Sequence, residues 1–121
     1  MRQQLLSKTK YDEVIDIIEQ EKNMFEFHIG SLGEGNKRCT IGLLLSHFGW
    51  QGQPGISSNF RQANEALGKL IETWDQWFIV NINDMSHSFD EVQEMLRKVE
   101  TKSSVITNVV IPSSKSFVQM F

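Results

Sequence analysis

Cys39 is the only thiol in the chain, and His28, His47 and His87 are the only imidazoles. A cysteine beside a histidine can act as nucleophile and base, and the same two residue types can hold zinc. Neither chemistry finds its spacing here, because there is no second cysteine and no His-x-x-x-His pair. Asn81, Asn83, Asp84 and His87 form a polar cluster of the kind that can ligate a cation through oxygen. The run lacks the glycine and the distal glutamate of a calcium loop, so it reads as a solvated turn. Gly30, Gly33 and Gly35 punctuate one loop, but without the Gly-x-x-x-x-Gly-Lys order of a phosphate cradle. These residues predict no catalytic centre, no metal and no cofactor.

Two other groups point to binding instead. Trp50, Trp74 and Trp77 are many tryptophans for 121 residues. Exposed, such rings stack on a base, a sugar or a peptide side chain; buried, they make core or a subunit contact. Lys37, Arg38, Ser57, Ser58, Asn59, Arg61 and Gln62 form the second group. Their side chains are of the types that reach phosphates, base edges and polar protein surfaces. Which of them share a surface depends on the elements that carry them.

Thr9 and Asp12 have the spacing of a capping box, and Tyr11, Val14, Ile15 and Ile18 then follow one helical stripe. Ile17 lies beside that stripe and widens the predicted buried face. The helix is expected to end near Asn23. Phe25, Phe27 and Ile29 alternate with Met24, Glu26 and His28, the period of a half-buried strand. After the glycine loop, Thr40 is expected to cap a second helix with Ile41, Leu44, Leu45 and Phe48 on its apolar side, stopped by Gly49. A turn over 50–56 leads to Ser57 or Ser58, expected to cap a third helix carrying Phe60, Ala63 and Leu67. That helix either ends at Gly68 or runs on through Ile71 and Trp74. The run Trp77-Phe78-Ile79-Val80-Asn81-Ile82 reads as a strand. Ser88 and Glu91 form a second capping box and predict a helix over about 89–100. Residues 105–111 are rich in β-branched side chains and stop at Pro112, which suits a strand, and the apolar tail with Phe117, Val118, Met120 and Phe121 is expected to dock on the domain or on a partner.

The run Thr40-Ile41-Gly42-Leu43-Leu44-Leu45-Ser46-His47-Phe48-Gly49, followed by Phe60-Arg61-Gln62-Ala63-Asn64-Glu65-Ala66-Leu67, resembles a small winged-helix-like module of bacterial restriction and defence-associated proteins. The likeness covers about a quarter of the chain. It implies that the first helix props the second, that the second presents its N-terminal polar side chains outward, and that 77–82 supplies a wing or closes the sheet. The turn departs from the module's basic pattern, since 50–56 carries neither lysine nor arginine.

Charge and composition set the outer limits. The length suits one domain over 1–121, and 40% apolar with 22% charged residues suits a folded core rather than a disordered chain. The formal net charge is −3, but residues 31–71 carry Lys37, Arg38, Arg61 and Lys69 against Glu34 and Glu65, a net of +2. Two charges fall short of the roughly six to ten phosphate contacts of a strong nucleic-acid binder. A homodimer would double them. No apolar run approaches the ~18 residues of a membrane span, residues 1–7 are too polar for a secretory signal, and a lone cysteine fits a reducing compartment. The expectation is therefore a cytoplasmic α+β protein: about four helices with a small, mainly antiparallel sheet, the third helix and its predecessor forming a winged-helix-like hairpin. It predicts a non-enzymatic binding protein, a small regulatory or mobile-element accessory engaging a protein partner, a nucleic acid or a second copy of itself. Two alternatives stand beside it: a small-ligand protein with an aromatic pocket of Trp50, Trp74 and Trp77, and an immunity-type subunit acting by protein–protein contact.

Overall fold

The computed structural model describes residues 10–105, with side chains over 11–99. The expected capping box at Thr9, residues 106–111 of the expected strand and the docking tail at Phe117–Phe121 lie outside the described residues; Val105, the first residue expected in that strand, is helical instead. Within them the fold is α+β, with five α-helices and a three-stranded sheet. The helices are α1 (Lys10–Glu21), α2 (Thr40–His47), α3 (Ser58–Leu70), α4 (Thr73–Asp84) and α5 (Phe89–Val105). The strands are β1 (Glu26–Phe27), β2 (Gly33–Glu34) and β3 (Lys37–Arg38).

α2 is the centre of the core. Thr40, Ile41, Gly42, Leu43, Leu44 and Leu45 are all buried, so every side of its first turns faces protein. A helix apolar all round has this fate. α1, α3, α4 and β3 pack around it. α1 contributes Tyr11, Val14, Ile15, Ile17 and Ile18, and the burial of Ile17 matches the broad face expected of this helix. α5 closes the other side of α1 with Phe89, Val92 and Leu96. The Gln93 amide seals that contact by donating to the Ile15 carbonyl (3.2 Å) and to Glu19 Oε1 (3.1 Å), across 78 positions of sequence in the first case. At the rim, the Lys22 ammonium donates to Asp90 Oδ1 at 2.6 Å and pairs with Glu19 at 3.0 Å.

The sheet is small and mixed rather than mainly antiparallel. β3 lies in the middle, parallel to β1 and antiparallel to β2. Its strands are two residues long, and extra backbone bonds extend them: His28 N–H to the Arg38 carbonyl (2.9 Å) and Cys39 N–H to the Leu32 carbonyl (3.1 Å). The 30–32 loop is thereby laid across the start of α2. Gly42 permits the approach, because a Cβ there would collide with the Leu32 carbonyl.

Three expectations about the elements are corrected. Residues 77–82 are helical, inside α4, so no strand follows α3 as a wing among the described residues. The physical reason is the stripe Asp75, Ile79, Ile82 and Asn83, which recurs at helical spacing and is buried, whereas an alternating strand would have buried every second residue. α3 ends at Leu70, neither at Gly68 nor beyond Ile71: Ile71 is extended (φ −139°, ψ 143°), and α4 starts afresh at Thr73. The cap of α2 is Cys39, not Thr40. Its sulfur accepts the Gly42 N–H at 3.3 Å. Thr40 instead turns both its N–H (2.8 Å) and its hydroxyl (2.7 Å) to Asn83 Oδ1. Asn83 Nδ2 donates onward to the His28 carbonyl at 3.1 Å. One buried amide thus ties the end of α4, the start of α2 and the exit of β1 together.

The capping box at α5 forms with one change. Ser88 Oγ accepts the Glu91 N–H at 3.2 Å, and Glu91 Oε1 accepts from the His87 N–H at 2.6 Å, one residue before the usual partner. The His87 backbone N–H, and after it the His87 ring, hold the exposed Glu91 carboxyl below its ordinary value.

Candidate functional site

The α2–α3 hairpin is assembled from a stop, a turn and a cap. The Gly49 N–H closes on the Ser46 carbonyl at 3.1 Å, and the Trp50 N–H on the Leu45 carbonyl at 3.0 Å. Ser57 then caps α3, its hydroxyl accepting from the Phe60 N–H at 3.1 Å. α3 lays Ala63 and Leu67, both fully buried, against α2. The opposite face carries Ser58, Arg61, Gln62, Glu65 and Lys69, all exposed. Their spacing of 3, 4, 7 and 11 residues from Ser58 puts them on one stripe about 16 Å long.

Of the residues singled out in the sequence, Ser58, Arg61 and Gln62 therefore share an outward face. Ser57 is occupied as the cap and Asn59 is half-buried at the edge of α3. Lys37 is exposed on β3, in a different element. Arg38 is taken inside the protein and is not part of any outer face, being 2% exposed. The stripe itself has Arg61 and Lys69 against Glu65, close to neutral.

Arg38 fills a cage under the turn. Its guanidinium lies between the Phe25 ring (4.6 Å to the centroid) and the Trp50 ring (4.9 Å). Nε donates to Ser46 Oγ at 2.6 Å, and Nη1 donates to the carbonyls of Gly35 (2.6 Å) and Lys37 (2.7 Å). Every partner is neutral. Burial lowers the guanidinium pKa from its ordinary value, although it remains a cation. Trp50 in turn meets Phe60 edge-on at 5.9 Å, so the cage carries the start of α3.

The three tryptophans do not make one pocket. Trp50 is buried at the cage, 5% exposed, while Trp74 and Trp77 stand on the outer side of α4 at 41% and 55% exposure. Beside Trp77 a cavity of about 190 Å³ is lined by Ile41, Thr73, Gln76 and Val80. A second, of about 230 Å³, is lined by Val80, Asn83, Asp84, Cys39, Leu32 and the Gly30-Ser31 turn. Both touch Val80 of α4 and the start of α2, at Ile41 in the first and at its cap Cys39 in the second.

Cys39 is buried, and its surroundings make it a poor nucleophile. Burial pushes the thiol up, and the Gly42 N–H recovers only part of the shift. His47 is paired with Glu21 at 3.0 Å, His87 with Glu91 at 3.2 Å, and His28 Nε2 lies 2.9 Å from Ser31 Oγ. Among the described residues no group of three or more histidine, cysteine, aspartate or glutamate side chains is placed to hold a metal ion. Also among them, no helix is long and apolar enough to cross a membrane.

Sequence reasoning missed Asn83 as a junction and Arg38 as a caged cation. Asn83 looked like part of a polar turn because 77–82 was read as a strand; a helical reading of 73–84 would have put it on the buried stripe. Arg38 gave no local signal, since its stacking partners Phe25 and Trp50 lie 13 and 12 positions away. Comparison with protein-family models, with curated proteins and with solved structures gives no match for this chain.

Proposed function

We propose that this chain is a non-enzymatic binding protein that engages a protein partner through the outward stripe of α3. The observation that carries the reading is the brace: Ala63 and Leu67 hold α3 on α2 while Ser58, Arg61, Gln62, Glu65 and Lys69 remain exposed along one line. A rigid helix face of mixed polarity suits a protein surface. Its near-neutral charge favours a protein over nucleic acid, whose phosphates ask for many more cations. Trp74 and Trp77 add exposed aromatic area of the kind that anchors interfaces. The same face on a second copy would make a homodimer. The single cysteine, Cys39, fits a reducing, cytoplasmic setting, and a regulatory or defence-associated accessory role is what the winged-helix-like resemblance of 40–70 implies.

Differential capture tests this. Wild type, Arg61→Glu combined with Gln62→Ala, and a control Glu13→Lys on the exposed side of α1 are used as bait, and oligomeric mass is read by light scattering. The expected result is a partner, or a doubled mass, kept by wild type and control and lost by the α3 variant. Capture that the α3 variant leaves unchanged refutes the role of this face. Tight binding of a labelled DNA duplex at low salt, where screening is weakest, would replace the protein reading by the nucleic-acid one.

A further inference from the structure

The cage around Arg38 contains a buried hydrogen-bond donor without an acceptor. The Nη1 and Nε groups of Arg38 are used, while Nη2 makes no bond within the protein among the described residues and is not sealed from solvent. The indole N–H of Trp50, by contrast, is buried and has no acceptor. Buried donors in native proteins are almost always paired, and a lone one asks for an explanation. A second imbalance is electrostatic. Arg38 is a buried cation, yet serine and two backbone carbonyls are its partners and no carboxylate bonds it. Burying an uncompensated charge is costly. An ordered water would satisfy the indole but would leave the charge as it is.

One kind of ligand answers both. We infer that the cage binds a small oxyanion, of the phosphate or carboxylate class, whose oxygens accept from Arg38 Nη2 and Trp50 Nε1. A planar guanidinium stacked on aromatic rings has its faces covered and its edge directed for such a contact. The 51–55 turn borders the guanidinium. Gly52 lies directly over the guanidinium edge: a Cβ there would be 2.5 Å from Nη2 and 2.9 Å from Cζ, and its φ is +81°. The residue that covers the donors is thus the one with no side chain to withdraw. Its neighbours Gln51, Pro54 and Gly55 are exposed. Because Trp50 also meets Phe60, an anion seated here would fix the entry to α3.

The test follows the three indole N–H signals of ¹⁵N-labelled full-length protein. Sodium phosphate and sodium acetate are titrated separately, against sodium chloride at equal ionic strength. The expected result is a saturable shift of the Trp50 signal with an oxyanion, with Trp74 and Trp77 unmoved and chloride without effect. A response to phosphate alone assigns that class; a response to both assigns carboxylates as well. Trp50→Phe keeps the ring and removes the donor, and should weaken the anion-dependent rise in melting temperature by about tenfold in apparent Kd. A Trp50 signal that does not move, moves equally in chloride, or an affinity unchanged in Trp50→Phe overturns the proposal.

Discussion

Replacing Asn83 by alanine should be among the most damaging single polar changes in this protein. The side chain is 1% exposed and fully used: Oδ1 takes the N–H and the hydroxyl of Thr40, and Nδ2 serves the His28 carbonyl. Alanine removes these three hydrogen bonds, worth about 1 kcal/mol each net, besides a long 3.5 Å contact to Asp84 Oδ1, and strands two buried donors and one half-buried carbonyl. Each stranded group adds desolvation cost, offset where water enters the cavity beside it. We expect a loss of about 3–4 kcal/mol, which for a domain of this size lowers the melting temperature by roughly 12–20 °C. Urea unfolding followed by far-ultraviolet circular dichroism measures it, with the exposed Asn64→Ala as control. The coupling is testable too. Thr40→Val removes one of the three bonds, so the double variant should lose at least about 1 kcal/mol less than the two single losses together. A loss under about 1 kcal/mol for Asn83→Ala, or strict additivity with Thr40→Val, would refute the view that this amide joins α4, α2 and β1.

Further outcomes follow from the core and the buried thiol. Leu67→Ala empties a fully buried site between α3 and α2 and should cost about 2–5 kcal/mol in denaturant unfolding, and hydrogen exchange should show α3 amides opening before those of α2. Because burial raises the Cys39 pKa above its unfolded value, the protonated thiol stabilises the fold at neutral pH and that contribution is lost as pH rises past the ordinary thiol range of about 8.5. Melting temperature against pH should therefore fall more steeply on the alkaline side in wild type than in Cys39→Ala. The native thiol should also react with a disulfide reagent far more slowly than the unfolded one.

What the sequence made legible was whatever one element decides alone. The stripe of α1, the apolar saturation of α2, the Ser57 cap and the Ser88–Glu91 box are local patterns, and each is present in the structure. α4 was misread because Trp77, Phe78, Ile79, Val80 and Ile82 favour strands locally, while the register of Asp75, Ile79, Ile82 and Asn83 against the core decides for a helix. Ser58, Arg61 and Gln62 lie on the exposed face of α3 that helical periodicity predicts, whereas Ser57 and Asn59, expected with them, do not. Arg38 could not be separated from them. Its burial depends on two rings and a serine brought from elsewhere in the chain, and a charged residue next to Lys37 carries no sign of that. The tryptophans divide for the same reason: Trp50 caps a neighbour's charge, whereas Trp77 lies opposite the buried stripe of its own helix.

The seam between α1 and α5 has a consequence for synthesis. Ile15 and Gln93 lie 78 positions apart, so one side of α1 can be covered early by α2 while the other stays open until the residues of α5 have left the ribosome. Until then that open side meets water or a chaperone, and nascent chains arrested before residue 90 should be sticky and readily cut by protease. Emergence of α5 then closes this flank in a late step.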